Sequence, residues 1–320
     1  MPAAHLRWPI LLSILAAIVT IGMKGTAYAL TGSVGLLSDA LESGVNLLAA
    51  VTAYLSLVYA SRPADPTHTY GHEKIEFFSS GLEGALILIA GLGTAAYAVR
   101  RLVLPEPLSD LEVGATIALA ASIVNFAVAR ILLRQGRKHR SIVLEADGKH
   151  LMADVITTVG VVAGLGLVLL TKLEWLDSVL AIAVGLNIMW TGGELIVRSF
   201  NGLMDHAIPP AEQDRIRAVI QEHLPEGAAF HALRTRQAGA RRFVEFHLLV
   251  DGNLAVRDAH HLAHRIEAAL VEALPGLEVV IHIEPVDERE SWEPEYLKQL
   301  GEDVPPIASK WEGEAPAEPS

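Results

Sequence analysis

Apolar residues run through the first two thirds of this chain in long blocks, interrupted at short intervals by polar and turn-forming residues. A helix that crosses a bilayer core of ~30 Å needs ~20 mostly apolar residues. Six stretches meet that requirement: Pro9–Leu30, Val34–Tyr59, Phe77–Val99, Leu111–Leu133, Leu151–Thr171 and Leu176–Val197. Their separators carry turn or charge signals, namely Gly32-Ser33, Arg62-Pro63-Ala64-Asp65-Pro66, Pro105-Glu106-Pro107, the basic run Arg134–Arg140 and Lys172–Glu174. The first block follows His5 and Arg7 as a secretory signal would. It is too long for such a segment and has no clear cleavage site, so it reads as a first transmembrane helix.

From Pro209 the periodicity changes. A helix is expected after the two prolines and a strand over Ala229–Arg236. In Arg242–Val250 the residues Phe243, Glu245 and His247 alternate with Val244, Phe246 and Leu248, which is strand spacing; Val256–Leu274 has helical spacing and Glu278–Ile283 is a closing strand. The order α-β-β-α-β predicts a small α+β domain, ferredoxin- or metallochaperone-like, with its helices on one face of the sheet. The expected organisation is an α-helical membrane bundle over residues 1–206, this α+β domain over 207–290, and an acidic Pro/Ala/Glu-rich tail over 291–320 that reads as disordered.

Composition narrows the chemistry. The chain has no cysteine, which excludes disulfides and thiolate metal sites, and it has 13 histidines. A net charge of −12 argues against a nucleic-acid partner. For orientation, the loop after the fourth block carries Arg134, Arg137, Lys138, Arg140 and Lys149, and the loop after the second carries Arg62 and Lys74. Those loops are expected in the cytoplasm, and six spans then put both termini there; Arg100-Arg101 is an exception on the far side.

Ionisable groups inside a hydrocarbon span are costly and face the bundle interior by default. The second block holds Asp39, Glu42 and Asn46 on one helical face, and the fifth opens with His150 and Asp154 one turn apart. Glu42, Asn46, His150 and Asp154 together supply four ligands, one of them an imidazole, suited to Zn²⁺ or a similar ion. The plainer alternative is that they are hydrogen-bonding groups that hold helices together. Asp65, His68 and His72 form a second cluster with ligand-like spacing, or a solvated loop. Glu83 and Asn125 either line a pathway or brace the bundle. In the second domain His231, His247, His260 and His282 fall on separate elements, and strand period two puts Glu284 on the face of His282.

In order and spacing, Ser38–Asn46, RPADPTHTYGHEK over Arg62–Lys74, HLMADV over His150–Val155, Leu203–Pro210 and HALRTRQ over His231–Gln237 resemble the cation diffusion facilitators, dimeric metal–proton antiporters. The resemblance extends from the first helix to about Pro285. It implies an intramembrane site at Glu42, Asn46, His150 and Asp154, a loop site at Asp65, His68 and His72, and a cytoplasmic site at His231, His247, His260, His282 and Glu284. It also implies a homodimer with ions bound across its interface and an interlocking ion pair at Lys74 and Asp205. The second-helix ligands depart from the family's usual Asp or His with Asp, because Glu42 and the neutral Asn46 stand there. Asp39, one turn away, is a candidate to compensate.

The expectation is a membrane-embedded secondary transporter, not an enzyme. It exports a divalent transition metal (Zn²⁺ first, with Fe²⁺, Mn²⁺, Co²⁺, Ni²⁺ or Cd²⁺ as alternatives) against protons. Two rivals stand beside it: a membrane-anchored metal sensor without flux, and a carrier of another cation, monovalent ones included. An intramembrane metalloenzyme ranks last, since no HExxH signature is present.

Overall fold

The computed structural model describes residues 7–31, 34–104, 111–171, 175–288 and 290–292. The tail read as disordered lies, from residue 293 on, outside the described residues, as do the separators at Gly32-Ser33, Pro105–Pro107 and Lys172–Glu174. Two compact units divide the chain, Met1–Met204 and Asp205–Ser320.

The first unit consists of α1 (Arg7–Thr31), α2 (Val34–Ala60), α3 (Ile75–Val103), α4 (Leu111–His139), α5 (Ile142–Thr171) and α6 (Trp175–Leu203). Among the described residues, Arg7–Thr26, Ile75–Arg100, Leu119–His139 and Ser178–Leu203 are long and apolar enough to cross a membrane. The other two helices, α2 and α5, have 27 and 30 residues, ample for the same span. Large apolar side chains such as Leu15, Leu55, Ile89, Ile123, Trp190 and Val197 point outward, while serines, Asn46, Glu83, Asp147 and His150 are buried. That inversion of the soluble pattern fits a lipid surround.

Two apolar clusters organise the unit. Ile10, Leu57, Leu132, Val143, Leu144 and Leu151 join α1, α2, α4 and α5. Phe77, Ile87, Ile142, Ala153, Ile188 and Leu195 join α3, α5 and α6. Helix α5 belongs to both, so its polar residues lie where the two groups of helices meet. Helices α3 and α6 approach through glycines: a Cβ on Gly192 would stand 2.7 Å from the Leu88 nitrogen, and one on Gly91 would stand 2.8 Å from the Met189 nitrogen. Without a hydrophobic driving force between helices in lipid, such close backbone packing supplies the attraction.

Helix α5 begins nine residues before the expected apolar span, so His150 and Asp154 lie inside it and not at its opening. The basic loop is corrected likewise: Arg134, Arg137 and Lys138 belong to α4 and Lys149 to α5, leaving only Arg140 and Ser141 between the helices. Helices outrun their apolar stretch when the charged turns find partners, as Glu145 does with Arg198 and Lys149 with Glu194.

The second unit is α7 (Pro210–His223), β1 (Ala229–Ala238), β2 (Arg241–Val250), α8 (Val256–Ala273) and β3 (Leu277–Pro285), closed by a short 3-10 turn at Glu290–Trp292. The strand order is β1-β2-β3, with β1/β2 antiparallel and β2/β3 parallel through the α8 crossover. Val244, Phe246, Leu248 and Val250 of β2 face α7 and α8 and pack on Ile216, Ile220, Leu262 and Ile266. The alternate residues Glu245, His247 and Leu249 therefore face the other side of the sheet.

Candidate metal centres

In the second unit, strand register brings three histidines into one row. His231 pairs with His247 on β2, and His247 pairs with His282 on β3. Directly opposed residues share a face with side chains ~5 Å apart. The ring centroids are 5.1 Å apart for His231–His247 and 4.8 Å for His247–His282. Immediately after His231 the register of β1 shifts, and Ala232 sits at a φ of +54°. This bulge lets His231 keep the open face while Leu233 returns to the core side.

Glu284, two residues after His282 on the same face, closes the group. Its Oε2 is 3.0 Å from His231 Nε2, its Oε1 is 3.0 Å from His247 Nδ1, and His231 Nε2 is 3.2 Å from His247 Nδ1. Ligand atoms around one tetrahedral ion stand ~3–4 Å apart, so these three side chains fit one ion without rearrangement. His282 adjoins them, its Nδ1 3.5 Å from Glu284 Oε1, and is mostly exposed. Burial, reinforced by the neighbouring His231 and His282 and opposed by Glu284, holds the His247 pKa below its ordinary value, favouring the neutral, ligating form. His260 is not in this group. It lies exposed on α8, on the helix side of the sheet, with its ring near those of His261 and His264.

Trp292, which the sequence reading passed over, covers the row from its β1 end. Its ring meets that of His231 edge-on at 5.4 Å, and its Nε1 donates to the Val286 carbonyl at 2.9 Å. It is buried with Leu249. Nothing in its local sequence signals this, because the turn that carries it is placed by tertiary packing alone.

In the loop between α2 and α3, Asp65 and His72 approach at 3.3 Å, and the His68 and His72 rings stand 4.5 Å apart. The ligand atoms of Asp65, His68 and His72 all lie within 4.8 Å of one another. Gly71, at a φ of +90°, reverses the chain so that His72 turns inward, where it is buried against Tyr59. The Thr67 hydroxyl and then the His68 and Thr67 backbone N–H groups donate to Asp65, which holds its carboxyl well below the usual range and keeps it anionic.

In the first unit, Asn46 of α2 meets His150 and Asp154 of α5. Its Nδ2 donates to the Asp154 carboxylate, and its Oδ1 lies 2.7 Å from His150 Nε2. Asn46 and His150 are buried and Asp154 is partly buried. The side chains of Glu42 and Asp39 lie outside the described residues. Lys74 stands immediately before α3. Asp205 follows α6 with a φ of +55°, its carboxylate 3.6 Å from Arg236 Nη1.

Comparison with known proteins agrees with this architecture. Residues 10–204 match the cation efflux transmembrane domain, and residues 208–286 match the cation efflux protein cytoplasmic domain. An uncharacterized transporter of Synechocystis sp. is 48% identical over 282 residues, covering 88% of this chain and 91% of its own. The cation-efflux pump FieF of Salmonella newport is 30% identical over 265 residues, covering 82% and 87%. A solved structure of CzrB in its Zn form is 48% identical over 26% of this chain and 96% of its own, with a TM-score of 0.25. The metal-bound C-terminal domain of the CzcD transporter from Thermotoga maritima is 33% identical over 24% and 91%, with a TM-score of 0.23. This chain is therefore a multi-pass membrane protein of the cation efflux family, the cation diffusion facilitators, and a transporter, not an enzyme.

Proposed function

We propose that the chain exports a divalent transition-metal ion, with Zn²⁺ as the first cargo, in exchange for protons by alternating access. The observation that carries this reading is the meeting of Asn46, His150 and Asp154 inside the first unit, on the helix that both apolar clusters share. With Glu42 they form the transport site. Imidazole and carboxylate must shed protons to take a metal, so the ligands that bind the cargo also supply the counter-ion. The basic residues at the α4–α5 end support a cytoplasmic position for that end and for both termini.

Asp65, His68 and His72 form a second ion site at the same end. The His231, His247, His282 and Glu284 group binds regulatory metal in a homodimer. His260 joins it from a second copy, since within one chain it lies on the wrong side of the sheet. Metal there biases the two conformations through differential binding. Lys74 and Asp205 act as an interlocking pair at the membrane surface.

Zn²⁺ uptake into inverted vesicles under an inward proton gradient tests the reading. Asp154→Ala and His150→Ala are each expected to abolish uptake, and normal uptake by both would refute the site. One observation favours a second reading, a metal sensor without flux: the neutral Asn46 already satisfies both Asp154 and His150. Metal-driven conformational change with no flux in the unaltered chain would select it.

A further inference from the structure

Besides Glu76, the first unit buries two carboxylates that none of the three candidate metal centres uses. Glu83 of α3 and Asp147 of α5 are each 1% exposed, and none of their four oxygens has a hydrogen-bond partner among the described residues. They lie on helices that pack together through Phe77 and Ile87 of α3 and Ile142 and Ala146 of α5, close enough for the Asp147 charge to act on Glu83. Ser13 of α1, also 1% exposed, brings its hydroxyl up to the Asp147 carboxyl without a well-aligned hydrogen bond. Three helices thus bring buried oxygen atoms to one region, without a well-formed hydrogen bond among the described residues. A pair that merely braced helices would be hydrogen-bonded, because an unpaired buried polar group is destabilising.

The titratable groups nearest to them along α3 and α5 are engaged elsewhere. Glu76 accepts from Ser141 at 3.0 Å, Glu145 pairs with Arg198, Lys149 pairs with Glu194, and His150 bonds Asn46. Among the described residues no Lys, Arg or His pairs with Glu83 or Asp147. Two buried carboxylates without a cationic partner need two protons or one divalent cation to offset their charge. The Glu76–Ser141 bond joins the starts of α3 and α5 at one end of the unit. At ~1.5 Å per residue, Asp147 lies ~8 Å and Glu83 ~12 Å in from those starts. Asp147 is also one turn before His150 on the same face of α5.

We propose that Glu83, Asp147 and Ser13 form a second, oxygen-only exchange site that holds either two protons or one divalent cation, on the route between the α4–α5 end and the His150–Asp154 cluster. The proposal rests on reading the membrane unit as a cation carrier. An all-oxygen donor set favours a hard ion, so Mn²⁺ is the probe.

The test uses the full chain in detergent, with Mn²⁺ binding followed by loss of the free-ion resonance and proton release followed in weak buffer. Glu83→Gln and Asp147→Asn, which preserve size and shape, are each expected to bind about one Mn²⁺ fewer per chain and to release about two fewer protons. In the unaltered chain, dicyclohexylcarbodiimide, which attacks protonated carboxyls in apolar surroundings, is expected to modify Glu83 or Asp147, and Mn²⁺ to prevent it. This arm decides the matter even if a variant does not fold. Parental Mn²⁺ counts in both variants, labelling of neither carboxyl, or labelling that Mn²⁺ does not reduce would each overturn the proposal. Failure of the transport-site reading shows separately, as undiminished flux in Asp154→Ala.

Discussion

Asn46→Asp is the most informative substitution in the membrane unit. The Asn46 amide now satisfies the Asp154 carboxylate with its Nδ2 and His150 with its Oδ1. Replacing the amide by a carboxylate removes the donor and sets two acceptors at hydrogen-bond separation in a mostly buried place. At an effective dielectric constant of ~20 and ~4 Å, two such charges repel by about 4 kcal/mol. A proton or a cation relieves that repulsion. If a divalent ion recovered all of it, affinity would rise by about three orders of magnitude, at ~1.4 kcal/mol per tenfold. Protons compete for the same relief, so the expected gain near neutral pH is smaller, roughly ten- to a hundredfold, with a steeper dependence on pH. Binding and flux of Zn²⁺ and Mn²⁺ in inverted vesicles between pH 6 and 8, with proton release counted per ion, measure both effects. Unchanged affinity and an unchanged proton count would refute the placement of Asn46 at the ion site.

Three further outcomes follow from the described geometry. Burial lowers the His247 pKa in the folded state, so the unfolded chain takes up its proton first; the stability of the second unit is expected to fall as pH drops below the ordinary His value of 6.5, and His247→Gln to flatten that dependence in denaturant titrations. Zn²⁺ is expected to change the emission of Trp292, whose ring touches His231, and Trp292→Phe to remove that response while metal still binds; an undiminished response in Trp292→Phe would argue against it. Gly192→Val puts a Cβ within 2.7 Å of the Leu88 backbone and is expected to cost about 1–3 kcal/mol, read as a lower melting temperature of the detergent-solubilised chain; parental melting would show that α3 and α6 tolerate separation.

The candidate sites were legible to different degrees. Asp65, His68 and His72 lie within one loop, so spacing alone suggested their meeting, although the inward turn of His72 needs Gly71. The row of His231, His247 and His282 was legible only as separate histidines, undistinguished from His260, because strand register and a bulge decide who stands opposite whom. His260 illustrates the limit: helical spacing does not say on which side of the sheet the helix packs. Asp147 was missed because the apolar span was drawn from Leu151, which cut off the turn of α5 that carries it, although Asp147, His150 and Asp154 follow the i, i+3, i+7 spacing of one helical face.

Hydrophobic patterning by itself determined the membrane class, the long helices and the αββαβ order, since bilayer thickness, helical rise and strand alternation act locally along the chain. Only the tertiary structure decided that α5 is shared by both apolar clusters, that Asn46 closes on His150 and Asp154, and that Glu83 and Asp147 are buried without hydrogen-bond partners among the described residues. The physical reason is that the cost of a buried polar group depends on what neighbouring helices offer it, and that is a property of packing, not of any one segment.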